Sequence, residues 1–456
     1  MTFHSLRPTF HPTLTPHTMT HTHLTIRHLL RPHHLLVLLA CTCLTLAAHG
    51  QTASFHTFFT DSTLRIDYTL SGDVHAQHIA VDELCMLPHW AGRRTHLDTL
   101  ALQGNGRIAM HDKRTGRLIY CHSFSTLFQE WLGTEEATRL PKAFEHVMLL
   151  PMPRDTAVVT LTLDALTGKP LATLTHTVCP TDILLRHLPS TPPPHRVVHA
   201  ASHPQPIDVA IVAEGYTEAE ADTFYTHAIA ACQALFASAP YKRYADRFQV
   251  VAVALPSPQS GVSIPGQGLW KHTPLASHFD TFYSARYLTT LRLRTLHNAL
   301  ASIPYEHIII LANTPHYGGG GIYNSYTLTT ARHRSFRPVV VHEFGHSFAG
   351  LADEYYYDDM YEPYYIPGRE PWEQNITTLT HFSTKWADML PAATPIPTPA
   401  AEAAAHPLGV YEGAGYTSKG VYRPCPDCRM KTNEAPDFCP VCCRATERLI
   451  RYYTGE

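Results

Sequence analysis

The stretch VVVHEFGHSFAGLADEYYY, residues 339–357, decides how the rest of the chain is interpreted. It holds His342, Glu343 and His346 in a His-Glu-x-x-His arrangement. The chain carries 33 histidines in 456 residues, so the motif by itself does not establish a site. The residues around the motif therefore have to distinguish a built site from chance.

These neighbours favour a helix that is designed to present the motif. Pro338 is suited to the first turn of a helix, where its missing N–H costs little. His342 and His346 are four apart on one helical face, so both imidazoles can reach one ion. Glu343 lies one residue further round, a position that suits a carboxylate taking a proton from water. Gly350 offers the helix a left-handed stop.

A third ligand is expected just after this stop. Zinc hydrolases hold the ion with three protein ligands and leave the fourth position for water, and two histidines with one carboxylate are an accepted set. Asp353 is the predicted ligand, with Glu354 as the competing carboxylate. Asp353 and Glu354 also cluster with Asp358 and Asp359 among tyrosines, where a calcium site is an alternative to a solvated loop.

The N-terminus predicts export. Residues 1–50 contain arginine but no aspartate or glutamate, and they end in the apolar run LLVLLACTCLTLAAHG. This pattern is typical of a secretory signal peptide, because the run is too short for a membrane-spanning helix. A true start at Met19 would give the signal ordinary proportions. Cleavage at a lipoprotein box ending at Cys41 competes with cleavage after Gly50, so we expect a secreted, periplasmic or cell-surface protein, attached to a membrane only if lipidated at Cys41.

The chain divides into two predicted domains. Residues 51–187 read as an all-β sandwich, because stretches such as TLRIDYTL, residues 63–70, alternate apolar and polar side chains. The sequence LPSTPPPH, residues 188–195, predicts a semi-rigid linker. Residues 196–456 alternate apolar strands with helical segments, which predicts an α/β domain with a largely parallel sheet.

Several elements of the second domain can be placed. Buried strands are predicted within residues 207–216, 248–255 and 307–313. Thr217 and Glu220 have the spacing of a helix capping box. We also expect a long helical segment over residues 279–302 and a glycine-led strand over residues 318–330, just before the motif helix.

Composition excludes some partners. The hydrophobic fraction of 44% supplies ample material for cores, and a formal charge of -3 gives no footprint for nucleic acid.

The C-terminal stretch CPDCRMKTNEAPDFCPVCC forms two C-x2-C pairs, which predict either a structural zinc site or disulfides. The four cysteines concerned are Cys425, Cys428, Cys439 and Cys442.

At this point the residues resemble a known family. HEFGHSFAGLADEY is similar to the active-site segment of the secreted bacterial IgA-peptidase family of zinc metallopeptidases, relatives of the metzincins. DVAIVAEGYT, EPWEQNIT, YEGAGYTSKGVYRP and CRMKTNEAPDFCPVC agree with it, and the resemblance extends from about residue 55 to the end. In ordinary metzincins the spacing after the second histidine is one residue shorter than the spacing from His346 to Asp353.

The resemblance implies a metzincin-like catalytic domain after a family-type β domain. It implies that His342, His346 and Asp353 bind zinc, that Glu343 is the general base, and that Met430 forms the methionine turn beneath the metal. We therefore expect an exported zinc endopeptidase with protein or peptide substrates, including host glycoproteins such as immunoglobulin A.

Two alternatives come from other classes. A non-catalytic surface adhesin would use the metal structurally, but the presence of Glu343 disfavours it. An intracellular zinc ribbon that binds nucleic acid is disfavoured by the predicted signal and by the charge. In the endopeptidase, residues 321–330 are the expected rim on which an extended peptide adds as a strand.

Overall fold

A computed structural model describes residues 54–188, 191–357 and 365–456. These residues belong to one compact unit, Thr52–Glu456. The predicted signal peptide, including Met19, Cys41 and Gly50, lies outside the described residues. No helix among the described residues is long and apolar enough to cross a membrane.

Two four-stranded sheets form the N-terminal part. The first has the order β5-β1-β2-β8 and the second β4-β3-β6-β7. Their strands are β1 (Phe59–Gly72), β2 (Gln77–Leu87), β3 (Gly106–Asp112), β4 (Leu118–Phe124), β5 (Lys142–Pro153), β6 (Ala157–Asp164), β7 (Pro170–Val178) and β8 (Arg186–His187). Two short helices accompany them, α1 (Phe55–Phe58) and α2 (Leu127–Trp131).

The apolar face of β1 is buried as the sequence predicts, because Leu64, Ile66, Tyr68 and Leu70 are all fully buried. The polar residues between them are buried as well, since Arg65 and Asp67 are at most 2% exposed, so the strand is covered on both faces over residues 63–68. β6 and β7 form a hairpin, since the two strands pair antiparallel. Buried side chains of both sheets belong to one hydrophobic cluster.

The rest of the chain is organised around a six-stranded sheet of order β13-β14-β12-β10-β11-β9. Strands β14, β12, β10 and β11 run parallel, and the two edge strands β13 and β9 run antiparallel to their neighbours. The strands are β9 (His195–His199), β10 (Ile207–Glu214), β11 (Phe248–Val253), β12 (His307–Ala312), β13 (Gly319–Ile322) and β14 (Tyr326–Thr330). A smaller sheet of order β15-β17-β16 contains β15 (Tyr356–Tyr357), β16 (Tyr411–Ala414) and β17 (Tyr416–Arg423).

Both faces of the six-stranded sheet are covered. On one face, Val209 and Ile211 of β10 pack in a cluster with three helices: α3 (Ala221–Ala237), α5 (Phe336–Ala349) and α6 (Pro440–Thr454). On the other face, Ala210 and Val212 belong to the same cluster as the cores of the two N-terminal sheets. This double burial explains why the strands are continuous apolar runs in the sequence.

The N-terminal sheets are also joined to this layer by polar contacts. Arg65 of β1 is fully buried, and its guanidinium makes a bidentate ion pair with Asp67 at 2.7 Å. Its third nitrogen donates to Asn298 Oδ1 at 2.7 Å, in helix α4 (Leu293–Ala299). A charge buried in this way needs all of its partners, so these contacts of Arg65 hold β1 against α4.

Local predictions met different outcomes. The capping box is confirmed, because Thr217 N–H donates to Glu220 Oε2 at 2.9 Å ahead of α3. The prediction of a long helix over residues 279–302 is wrong. Asp280, Phe282 and Tyr283 have positive φ angles, and only α4 is α-helical in this stretch.

The glycine-led strand is a hairpin rather than one strand. β13 and β14 pair antiparallel, and Asn324 turns the chain between them with a φ of 50°. Asparagine tolerates this left-handed conformation better than most residues.

Candidate metal centre and active site

Helix α5 presents the motif and ends where the sequence predicts. Gly350 takes the left-handed conformation with a φ of 57°, and its N–H donates to His346 O at 3.0 Å. Leu351 N–H donates to Gly345 O at 3.1 Å, which completes the turn. The chain reverses at this point and returns Asp353 towards the helix.

His342, His346 and Asp353 meet at one point. The two histidine Nε2 atoms are 3.0 Å apart, and Asp353 Oδ1 lies 3.1 Å from that of His342 and 3.3 Å from that of His346. These separations match the edges of a tetrahedron, about 3.3 Å for ligands held about 2.0–2.1 Å from a zinc ion. The structure therefore brings together the three predicted metal ligands.

The hydrogen bonds of the two histidines fix which nitrogen faces the cluster. His342 Nδ1 donates to Arg429 O at 2.9 Å, and His346 Nδ1 donates to Leu351 O at 2.6 Å. A carbonyl oxygen only accepts, so each Nδ1 carries the proton in the neutral ring. Both Nε2 lone pairs then point at the carboxylate of Asp353, an arrangement that calls for a cation.

The pKa values of the cluster also indicate that it requires a positive charge. Burial lowers the pKa of His346, but the nearby Asp353 carboxylate outweighs burial and raises that pKa to about 9. Burial raises the pKa of Asp353, and the two histidines outweigh it and bring the pKa well below its ordinary value. A proton thus stabilises the cluster, and a divalent cation would take the proton's place.

Asp353 has a further support. Tyr416, in β17, donates its hydroxyl proton to Asp353 Oδ2, and Asp353 itself is only 5% exposed. Partners of this kind orient a carboxylate ligand. Sequence reasoning did not single out Tyr416, because 63 residues separate it from Asp353.

Glu343 lies against the glycine-rich strand β13. A Cβ atom at Gly319 would be 2.5 Å from Glu343 Oε1, and one at Gly321 would be 2.3 Å from Glu343 O. Only glycines permit this approach of strand to helix. The four consecutive glycines at 318–321 were the available sequence signal. Burial raises the pKa of Glu343, and His342 and His346 oppose the rise.

Met430 lies under the motif helix. It is fully buried, and a Cβ atom at Gly345 would be 2.9 Å from its sulfur. Met430 O also accepts from Glu354 N–H at 2.8 Å. The predicted methionine-turn residue is thus packed against the helix turn between the two histidines.

Glu354 does not join the histidines. Its carboxylate belongs to a second group with Cys428, Cys439 and Cys442, whose ligand atoms all lie within 4.8 Å of one another. Cys425 is outside that group. Asp353 and Glu354 therefore serve different clusters and do not form one calcium site, while Asp358 and Asp359 lie outside the described residues.

The first cluster opens into a cleft of about 600 Å³. Part of the cleft wall comes from the N-terminal part of the chain, notably Glu130 of α2, which accepts a hydrogen bond from Tyr287. Burial raises the pKa of Glu130 to about 7. Arg286 stands at the cleft with its guanidinium over the rings of Tyr355 and Tyr357. No residue before 188 was expected to line the site, because nothing local in the sequence marks Glu130.

Comparison with known families identifies the class of protein. Residues 197–406 and 400–450 match the family model described as IgA Peptidase M64, and residues 54–169 match the model described as Peptidase M64 N-terminus. The chain thus has a separate N-terminal domain followed by a peptidase domain.

The chain belongs to the IgA peptidase M64 family. The resemblance inferred from the sequence is confirmed, and the adhesin alternative is not favoured. Among curated proteins none matches the chain.

Proposed function

We propose that the chain is a zinc-dependent endopeptidase with a metzincin-like catalytic domain. The observation that carries this proposal is the convergence of His342 Nε2, His346 Nε2 and Asp353 Oδ1 within 3.0–3.3 Å, beside the carboxylate of Glu343. The motif helix, the edge strand β13 and the buried Met430 support the metzincin-like assignment.

His342, His346 and Asp353 would hold the ion. Bound zinc supplies Lewis-acid polarisation of a carbonyl and acidifies water. Glu343 then takes a proton from the attacking water and returns it to the departing amine. Burial, which raises the pKa of Glu343, suits both halves of this role, because a carboxyl group must accept and then release a proton near neutral pH.

Strand addition at the rim is more limited than the sequence indicated. On the outer edge of β13, Gly319 O accepts from Leu288 N–H at 3.3 Å, and just beyond the strand Tyr323 O accepts from Ser125 N–H at 2.9 Å. By the alternation of a strand, Gly321 is the residue between them whose main-chain groups face the same way. We infer that the substrate main chain pairs at Gly321, and that side-chain contacts in the cleft provide the remaining binding.

The test measures metal content and casein hydrolysis for the mature chain and three variants. We expect Glu343→Gln to keep its zinc and lose at least about 100-fold in kcat, since general base catalysis contributes about 10²–10⁴. Asp353→Ala should lose zinc. Glu218→Gln, an exposed glutamate in another part of the chain, is the matched control and should change neither. Full activity in Glu343→Gln would refute the proposal.

We further propose that the protein is exported and that its substrates include host glycoproteins such as immunoglobulin A. The basic and apolar pattern of residues 1–50 supports export, and the family name supports the substrate class. Mass analysis of the mature N-terminus distinguishes cleavage before Cys41 from cleavage after Gly50, and an uncleaved N-terminus would refute export by this signal. Incubation with purified immunoglobulin A tests the substrate.

A further inference from the structure

A second cluster of candidate ligands lies behind the catalytic one. Cys428, Cys439, Cys442 and Glu354 are all at most 5% exposed, and their ligand atoms lie within 4.8 Å of one another. Cys428 Sγ is 3.8 Å from Cys442 Sγ, and Cys442 Sγ is 3.2 Å from Glu354 Oε1.

The sulfur separation fits a shared ion. Two thiolates bound about 2.3 Å from one tetrahedral zinc ion stand about 3.8 Å apart. A disulfide joins its sulfurs at about 2.0 Å, well short of the 3.8 Å between Cys428 and Cys442, and disulfides would leave the charge of the Glu354 carboxylate without a partner. Three sulfurs and one oxygen around one centre form a complete tetrahedral set.

Main-chain amides support the sulfurs. Cys439 N–H donates to Cys428 Sγ at 3.2 Å, and Cys442 N–H donates to Cys439 Sγ at 3.5 Å. Cys439 caps α6, so its sulfur lies at the positive end of a helix of 15 residues. Amide donation and a helix N-terminus both stabilise a thiolate, the form that binds metal.

Glu354 provides a second, independent observation. The residue is fully buried, and its Oε1 accepts from Asn375 Nδ2 at 2.9 Å. Its Oε2 has no hydrogen-bond partner among the described residues. An ionised carboxylate is costly in such a place unless a cation neutralises it, and the nearest group of suitable ligands is the three thiols.

We propose that Cys428, Cys439, Cys442 and Glu354 bind a second divalent ion of the zinc type. The ion displaces the three thiol protons as it binds. This set differs from the four-cysteine ribbon that the sequence indicated, because Glu354 takes the place of Cys425. Sulfur ligands with tetrahedral geometry select zinc over calcium or magnesium.

The second ion braces the first site. The segment between Cys428 and Met430 carries Arg429 O, which orients His342, and Met430 O, which holds Glu354 N–H. Asp353 and Glu354 are adjacent in the chain, so each ion fixes one of two neighbouring carboxylates. Loss of the second ion should therefore weaken binding at the first.

Cobalt substitution tests the proposal in the full mature chain without using activity. Only thiolate ligation gives sulfur-to-cobalt charge-transfer bands in the near ultraviolet, and the histidine cluster cannot produce them. We expect two ions per chain in the wild type, and one ion with the thiolate bands intact in a His342→Ala/His346→Ala double variant. Cys442→Ser should lose the bands. Cys443→Ser, the matched control one residue further along α6, should keep them.

Two further variants separate the ligand sets. Glu354→Gln should bind the second ion at least about tenfold more weakly, and Cys425→Ser should bind it as the wild type does. Wild-type binding by Glu354→Gln together with weaker binding by Cys425→Ser would overturn the assignment of Glu354 as a ligand.

A measurement on the wild type keeps the test valid even if a variant fails to fold. Zinc-loaded protein should protect Cys428, Cys439 and Cys442 from alkylation, and removal of the ion should expose them. A disulfide between any two of these cysteines in the purified protein, or reduced folded protein without thiolate bands, would overturn the proposal. Because none of these readouts is catalytic, an inactive protein with intact bands would refute only the proposed peptidase mechanism.

Discussion

Gly319→Ala is the most informative single change at the active site, because it adds one methyl group and removes no functional group. A Cβ atom there would lie 2.5 Å from Glu343 Oε1, 2.9 Å from Cδ and 3.0 Å from Cγ. Ordinary contact begins at 3.4 Å, so the carboxylate must retreat by about 0.9 Å. The three predicted metal ligands are not among the nearest atoms to this Cβ.

A misplacement of about 1 Å in a catalytic group costs on the order of 100-fold. We therefore expect kcat/KM for casein to fall about 100-fold, mostly in kcat, which corresponds to about 2.7 kcal/mol of transition-state stabilisation. Zinc content and the urea midpoint should stay near the wild-type values. Gly133→Ala is the control, because Gly133 is exposed, does not line the cleft, and would bring its Cβ no closer than 3.3 Å to another residue, at Glu130 O.

Two results would contradict this reasoning about Gly319→Ala. Gly319→Ala with full zinc and kcat/KM within about twofold of the wild type would refute the argument that the carboxylate position limits the rate. Loss of zinc would refute the argument that the methyl group acts through Glu343 alone.

Three other predictions concern stability and metal binding. Burial lowers the pKa of His307 from 6.5 to about 3, so its contribution to stability is fully present above pH 6.5 and is lost as the pH falls towards 3. His307→Phe should remove up to about 1.4 kcal/mol per pH unit of that acid sensitivity, and urea unfolding at pH 7 and pH 5 measures it. If the free energy of unfolding of His307→Phe depended on pH as steeply as that of the wild type, His307 would not be the source of the acid sensitivity. Glu214 is fully buried and accepts three hydrogen bonds from residues 273–277, so Glu214→Ala should lower the free energy of unfolding by about 3 kcal/mol. A loss below about 1 kcal/mol would mean that the loop finds other partners. Tyr416→Phe removes the donor to Asp353 and should weaken zinc binding about 10- to 100-fold in a chelator competition, whereas unchanged affinity would show that the hydroxyl does not orient the ligand.

What could be predicted from the sequence was local. The capping box at Thr217 and the helix end at Gly350 depend on residues a few positions apart, and both are present in the structure. The apolar face of β1 could also be predicted, because its buried residues recur at every second position, whereas the burial of Arg65 and Asp67 on the opposite face could not. The ligand spacing around His342 has the same local character.

What could not be predicted depends on contacts between distant segments. Glu130 enters the cleft because α2 packs near Tyr287, 157 residues later. Glu354 turns to the cysteines because Met430 O and Asn375 hold it there, and neighbouring carboxylates in a sequence do not reveal their different partners. The prediction of a helix over residues 279–302 was wrong for a related reason, since the main chain at Arg286 and Leu288 forms hydrogen bonds with Gly319 of β13 instead.

The shared cluster between the N-terminal sheets and the six-stranded sheet also limits how the peptidase domain can be handled. A fragment that begins near residue 196 would leave the apolar face formed by Ala210, Val212 and Ile310 in contact with water. It would also lack Glu130 and its part of the cleft wall. The N-terminal domain therefore supplies one side of a core that it shares with the peptidase domain, and we expect either domain expressed alone to be destabilised.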